Sequence, residues 1–182
     1  MTPRIRVAGA ADIPALRSLV ESAYRGESAK AGWTHEADLL GGQRTDHAAL
    51  GEMIADPRQA ILLAEAGGDL VGCVQVADKG VGAGEGHIGY LGMLTVRPTL
   101  QSAGLGRYLI DAAEAHARAA LGVDVMEMTV ISSRRELIDW YVRRGYADTG
   151  RTAPFPMDDP RYGIPKTRDL EFVVLAKRLA PN

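Results

Sequence analysis

The stretch Gln101-Ser102-Ala103-Gly104-Leu105-Gly106 stands between an apolar run ending at Val96-Arg97-Pro98 and a helix-patterned segment, Gly104 to Leu121. A strand, a glycine turn and a helix in that order have a physical consequence. Glycine admits left-handed backbone and lets a ligand come close to bare amides. The first turn of the helix offers unpaired N–H groups and the positive end of a dipole. Together they make an anion site suited to a pyrophosphate, and Arg107 just inside the helix adds a charge. On this short pattern alone, an ordinary tight turn competes, because isolated glycine motifs are weak. Two other phosphate motifs are excluded. The chain has no Gly-x-x-x-x-Gly-Lys-Ser/Thr, and Leu109 stands where a dinucleotide fingerprint needs its third glycine.

Upstream of the turn, Ile5 and Val7 alternate with Arg4 and Arg6 as a short edge strand. Asp12-Ile13-Pro14 reads as a helix start, and Ile13, Leu16, Leu19, Val20 and Ala23 carry that helix to about Tyr24. From Gly26 to Asp56 the chain is polar and broken, with helical pieces predicted around Glu36–Leu40 and Asp46–Ala55. Ala60 to Glu65 and Leu70 to Val76, joined by Gly67-Gly68-Asp69, form a hairpin. Lys79 to Gly86 is glycine-rich and reads as a loop before the strand Ile88 to Val96.

Downstream, Leu105, Leu109, Ala112, Ala113 and Ala120 make the helix stripe. A strand follows at Asp124–Ile131, then a helix at Arg134–Arg143 closed by Gly145. Tyr146–Thr149 and Leu170–Ala176 are the last strands, with a long loop carrying four prolines between Pro154 and Arg168. The order predicts one mixed α/β domain over residues 1–182, without repeats or a linker.

The 182 residues carry a net charge of −2, with 46 % apolar and 24 % charged residues, which fits a globular chain and gives no pull toward nucleic acid or an anionic membrane. The mild acidity favours a cationic or neutral ligand slightly. A single cysteine, Cys73, cannot build a disulfide framework, so a reducing cytoplasmic setting is expected. No apolar run reaches the roughly 20 residues of a membrane helix, and Met1 to Arg6 does not read as a signal peptide. His47 and His116 lack metal-ligand spacing, so no metal is expected.

Two motifs at their separation carry a family resemblance. Leu94-Thr95-Val96-Arg97-Pro98 followed by Gln101-x-x-Gly104-x-Gly106, and then Tyr141-x-x-x-Gly145-Tyr146, resembles the GNAT superfamily of N-acetyltransferases, closely over about Ile88 to Gly150. The resemblance implies a central mixed, mostly antiparallel sheet flanked by helices and splayed between the fourth and fifth strands, Ile88–Val96 and Asp124–Ile131. It implies acetyl-CoA as donor. Met93, Leu94, Thr95 and Val96 would hold the pantetheine arm through their main chain. The amides of Gln101, Ser102, Ala103, Gly104, Leu105, Gly106 and Arg107 would cradle the pyrophosphate.

Tyr141 matches the family tyrosine that protonates the departing thiolate, a role open to a phenol with an ordinary pKa near 10. Packing as a core aromatic is the alternative. Seven positions earlier, Arg134 replaces the asparagine many members use to hold the cofactor. Ser132, Ser133 or Arg134 itself would take over those contacts, or Arg134 would meet the substrate.

The reaction implied is direct attack by a neutral amine on the thioester, with a strand amide near Met93 or Leu94 steadying the oxyanion. Buried in an apolar hairpin without a neighbouring His, Cys73 reads as structural. Glu27, His35, Glu36, Asp38, His87 and Glu127 are the candidate bases. Glu27, Trp33 and Glu36 mark the expected acceptor site, within the polar segment Tyr24 to Arg44. Phe155 to Pro160 could close over it, with Asp158 and Asp159 favouring a cation. The acceptor would be the primary amine of a small molecule or peptide, with no nucleic-acid or membrane partner. A homodimer is plausible from the exposed edge strands. A non-catalytic acyl-CoA-binding regulatory module of the same fold is the competing function.

Overall fold

A computed structural model describes residues 3–84 and 86–180; the part of the N-terminal reading that falls on Met1 and Thr2 lies outside them. The elements are β1 (Arg4–Val7), α1 (Ile13–Tyr24), α2 (Gly26–Ala29), β2 (Leu40–Gly41), α3 (His47–Ala55), β3 (Gln59–Ala66), β4 (Asp69–Gly82), β5 (Gly86–Val96), α4 (Leu105–Leu121), β6 (Val125–Ile131), α5 (Arg135–Val142), β7 (Ala147–Pro154), β8 (Ile164–Pro165) and β9 (Glu171–Arg178).

Seven strands form one sheet in the order β1-β3-β4-β5-β6-β9-β7, and β2 pairs with β8 in a separate two-residue ladder. Within the large sheet every pairing is antiparallel except β5 with β6. The continuous apolar run of β3 reflects burial on both faces. Ile61 and Leu63 point with Cys73 toward α1 and α3, where Leu16, Leu19, Val20 and Leu50 meet them. Leu62 and Ala64 point with Val74 and Val76 toward α4, where Leu105, Leu109, Ile110, Ala113 and Ala117 complete the larger core. A Cβ at Gly72 would stand 2.8 Å from Leu109 and 2.9 Å from the Thr95 carbonyl, so the missing side chain lets α4 lie directly on β4. Leu109 is fully buried there, and truncating such a leucine to alanine costs about 2–5 kcal/mol.

Three expectations are corrected. The glycine-rich segment from Lys79 is mostly strand and turns at Ala83–Gly84: β4 runs to Gly82 and β5 starts at Gly86, so the hairpin extends beyond the sheet body. A register shift at Asp78/Gly80, with the Gly80 amide donating to Asp78 Oδ1, absorbs the glycines as a bulge. No helix forms at Glu36–Leu40; that segment makes a single turn closed by the Leu40 amide on the Glu36 carbonyl, and a short helix stands instead at Gly26–Ala29. On α4, Ala120 is exposed, and Ile110 and Ala117 take the inward positions.

Among the described residues the sheet has one parallel pair, and it parts there. Pairing between β5 and β6 is confined to Ile88–Tyr90 against Val125–Glu127. Beyond it, β5 slips register against β4 between Cys73 and Gln75, and Met93 sits at φ 49. A non-glycine residue in the left-handed region is uncommon, and a bulge bends its strand. The bend carries Gly92–Val96 away from β6 and leaves that edge of β5 without a strand partner among the described residues.

Candidate active site

The gap between β5 and β6 is a cleft with two chambers. Tyr24, Leu94, Arg134, Leu137 and Tyr141 line both and form the neck between them. One chamber, about 430 Å³, opens on the Gln101–Arg107 turn; the other, about 170 Å³, lies deeper between the splayed strands.

The larger chamber is built from backbone. Gly104 takes φ 81 as the residue before α4, a conformation that admits glycine cheaply, and a Cβ there would meet nothing within 4 Å. Among the described residues, no acceptor takes a hydrogen bond from the amides of Ser102 through Arg107; the first helical bond runs from Tyr108 to the Gly104 carbonyl. Six unpaired amides at a helix N-terminus form an anion cradle. Arg107, Arg143 and Arg144 surround its mouth. The Arg144 guanidinium lies 3.6 Å from the centre of the Trp140 ring, and its pKa is lowered by burial and by Arg143 and Arg107. An array of donors beside crowded cations fits the diphosphate of CoA.

Of the residues expected to bind the cofactor, Leu94, Thr95, Val96, Gln101, Ser102, Gly104, Gly106, Arg107 and Arg134 line this chamber. Met93 lines the deeper one. Ala103 is exposed beside the turn, and the Leu105 side chain is buried in the core, so Leu105 offers only its amide. Ser133 is exposed and borders an outer groove, not the chamber. The Gln101 side chain faces across the cleft, accepting from the Thr34 amide at 3.4 Å and donating to the Val96 carbonyl at 3.4 Å.

At the neck, Tyr141 is 7 % exposed, and its hydroxyl has no hydrogen-bond partner among the described residues. Burial pushes its pKa well up. Its ring packs edge-on against Trp140 at 5.1 Å and Tyr146 at 6.0 Å, which holds it from α5. Across the neck the Tyr24 hydroxyl donates to the Leu94 carbonyl at 2.6 Å, and burial raises its pKa to about 12.

The deeper chamber is built from side chains. Glu36 Oε2 pairs with Arg25 Nη1 at 2.5 Å and Glu36 Oε1 with Arg134 Nη1 at 3.1 Å. Arg134 Nη2 also donates to Thr34 Oγ1 at 2.6 Å. Against the opposing push of burial, Arg134, Arg44 and Arg25 together hold the Glu36 carboxyl below the usual carboxylate range. Arg44 also lines the chamber, with its guanidinium 5.1 Å from the centre of the Tyr24 ring. The lining therefore carries three arginines and one glutamate.

The structure separates the other predicted residues. Glu27 is exposed on α2 and pairs with Lys30, away from both chambers. Trp33 lines the larger chamber, stacked 6.1 Å from Trp140, and not the deeper one. His35 accepts from the Ala37 amide and lies in the outer groove with Asp38. His87 pairs with Asp78, and Glu127 with Arg151, outside the cleft lining. Asp158 is exposed, and Asp159 caps a short turn and holds Arg161. Phe155 and Tyr162 reach the deeper chamber from this loop, so it closes the site with rings.

Sequence reasoning missed Arg25, Arg44, Tyr24 as a neck residue, Arg143 and Arg144. Only the last two carried a signal, an Arg-Arg-Gly run at the end of the Tyr141 helix.

A family model for the acetyltransferase (GNAT) family matches residues 15–146. An IAA acetyltransferase of Azospirillum brasilense is 32 % identical over 108 residues, 59 % of this chain and 67 % of that protein. Among solved structures, yncA of Salmonella typhimurium, determined with its cofactor acetyl-CoA, superposes with a TM-score of 0.68 at 21 % identity, over 100 % of this chain and 96 % of that one. The ribosomal-protein-alanine N-acetyltransferase of Brucella melitensis gives 0.69 at 21 % identity, over 97 % and 99 %. The chain belongs to the GNAT family of acetyl-CoA-dependent N-acetyltransferases.

Proposed function

We propose that this enzyme moves the acetyl group of acetyl-CoA to the primary amine of a small molecule, with the donor in the larger chamber and the acceptor in the deeper one. The observation that carries this reading is the free Tyr141 hydroxyl at the neck where the two chambers meet. Bound acetyl-CoA supplies an activated thioester carbonyl. The amides of Ser102 to Arg107, with Arg107, Arg143 and Arg144, bind its diphosphate. The open edge of β5 from Gly92 to Val96 orients the arm, and the amides at the Met93 bulge polarise the carbonyl oxygen. Tyr141 keeps its proton at Oη, since burial raises its pKa, and is the donor to the leaving sulfur.

Glu36 is an unsuitable base. Its carboxylate is already bonded on both oxygens by two arginines, and the charge of Arg44 helps them hold it ionised. The positive surroundings favour the neutral form of an incoming amine. Its attack proton then leaves through water. A chamber of about 170 Å³ falls below the ~300–1,000 Å³ of drug-sized ligand sites, which favours a metabolite-sized acceptor. We assign the whole chain to one catalytic domain. The exposed strand β7 at the sheet edge suits a homodimer, and the buried thiol of Cys73 suits a cytoplasmic setting.

Thiol release from acetyl-CoA over polyamines, aminoglycosides, amino acids and N-terminal peptides tests the reading. It predicts steady turnover with at least one small amine and recovery of the acetylated product. CoA binding without turnover across the whole panel overturns it.

A further inference from the structure

The deeper chamber has more positive charge than its own residues neutralise. Its charged lining is Arg25, Glu36, Arg44 and Arg134. Both oxygens of Glu36 are occupied, one by Arg25 and one by Arg134. Arg25 Nη2 further donates to the Tyr162 carbonyl at 3.3 Å. These two guanidiniums are thus structural members of the wall.

Arg44 differs from them. Glu21 Oε1 accepts from the Arg44 and Thr45 amides at 2.6 and 2.9 Å, which pins the backbone from α1. The guanidinium reaches over the Tyr24 ring into the chamber and makes no hydrogen bond or ion pair with any described residue. Glu36 and Glu21 act on it through space without bonding it, and a partly buried guanidinium without a directly bonded anion is costly to maintain. Its planar fork matches a carboxylate in a bidentate pair.

We infer that the acceptor is a small amino acid, in the broad sense of an amine that also carries a carboxylate, and that Arg44 receives this carboxylate while the amine faces the neck at Tyr141. The inference rests on the acetyl-transfer reading above and specifies its substrate class. It reverses the charge preference expected from the acidic sequence and from Asp158 and Asp159, which do not line the chamber. A diamine would bring its second cation against the excess positive charge.

The test compares matched pairs: α-, β- and γ-amino acids against their carboxamides, with putrescine as a dication control. The amide's amine is the less basic of each pair, so any bias from protonation runs against the inference. For at least one pair, kcat/KM for the free acid should exceed that for the amide by about 100-fold, as for loss of one partner of a buried charge pair. Arg44→Gln should raise KM for that acid by a similar factor, bring the acid-to-amide ratio near one and leave the acetyl-CoA Kd unchanged. Arg44→Lys should restore part of the preference.

Amides or putrescine turned over as well as the acids, or a preference that survives Arg44→Gln, would overturn the inference and leave acetyl transfer standing. No turnover with any amine while acetyl-CoA binds would overturn both. If Arg44→Gln fails to fold, the acid-to-amide ratio of the unaltered protein still decides.

Discussion

The two chambers of the cleft are made by different means. The larger chamber, proposed for the donor, is a backbone device: six amides without acceptors among the described residues, one left-handed glycine and a strand edge left open by a bulge. The deeper chamber, proposed for the acceptor, is a side-chain device lined by arginines from three separate positions, two of them paired with one glutamate. Backbone recognition constrains few residue types, so one turn serves one ligand with little room for change. Side-chain recognition can be altered a residue at a time. The contrast explains why the family identifies the donor and leaves the acceptor to be read from the individual chain.

Breaking the donor side alone should have the largest effect. Gly104→Val forces a β-branched residue to φ 81 within the cradle, while its Cβ meets no packed neighbour. Acetyl-CoA affinity, measured by calorimetry, should fall by about 10³-fold, or ~4 kcal/mol, while the circular dichroism spectrum stays native. Retained affinity would refute the diphosphate assignment.

Breaking the wall of the deeper chamber comes next, and should act on stability. Glu36→Gln leaves Arg25 and Arg134 without their shared anion; the side chains of Arg25 and Glu36 are 5 % and 12 % exposed. Removing one member of such a buried pair costs about 3 kcal/mol, which corresponds to a Tm drop of roughly 6–12 °C for a chain of this size. Because the folded-state pKa of Glu36 lies below its ordinary 4.5, this stabilisation is present above pH 4.5 and disappears as pH falls through the lower folded value. The variant should therefore lose the acid-side slope that the unaltered protein shows. An unchanged Tm would mean that the pair is not the wall's anchor.

Tyr141, at the neck, sharpens the comparison because it belongs to both sides. Tyr141→Phe keeps the ring and its contacts with Trp140 and Tyr146. We expect kcat to drop by about 100-fold, the lower end for a lost general acid, with the acetyl-CoA Kd unchanged. An equal kcat would remove Tyr141 from the chemistry.

The same contrast governs what could be read from the sequence. The donor turn was legible because strand, glycines and helix follow one another within about 15 residues, and because α4 and β3 carry clear apolar patterns. The splay was accessible only through the family resemblance, since nothing in Ile88–Val96 announces a bulge at Met93. The wall of the deeper chamber was legible only as a segment, Tyr24 to Arg44, with Glu36 in it, and not in the individual roles of Arg25 and Arg44. Arg25 and Arg44 stand in a polar, aperiodic segment where any charged residue reads as solvated, and their convergence depends on contacts with Glu36 and Glu21. Glu36 was found only as one of several carboxylates. Glu27, nine residues away, looked equivalent until α2 turned it outward. The glycines from Gly80 suggested a loop for a related reason, while ladder pairing and one bulge made Gly80, Gly82 and Gly86 strand.

The small ladder of β2 with β8 has a consequence for motion. It joins Leu40–Gly41 to Ile164–Pro165 across more than 120 residues of chain, through two residue pairs. Its added supports are few: the Lys166 amide on the Leu39 carbonyl, Lys166 Nζ on the Ala37 carbonyl, and Arg25 on Tyr162. A closure so distant in sequence and so thinly bonded opens by local unfolding at much lower free energy than the β3–β4 core. In hydrogen exchange the amides of Leu40 and Lys166 should lose protection well before that of Leu63. The side of the cleft proposed for the acceptor is then also the part that breathes, which would let a ligand enter and leave without disturbing the sheet.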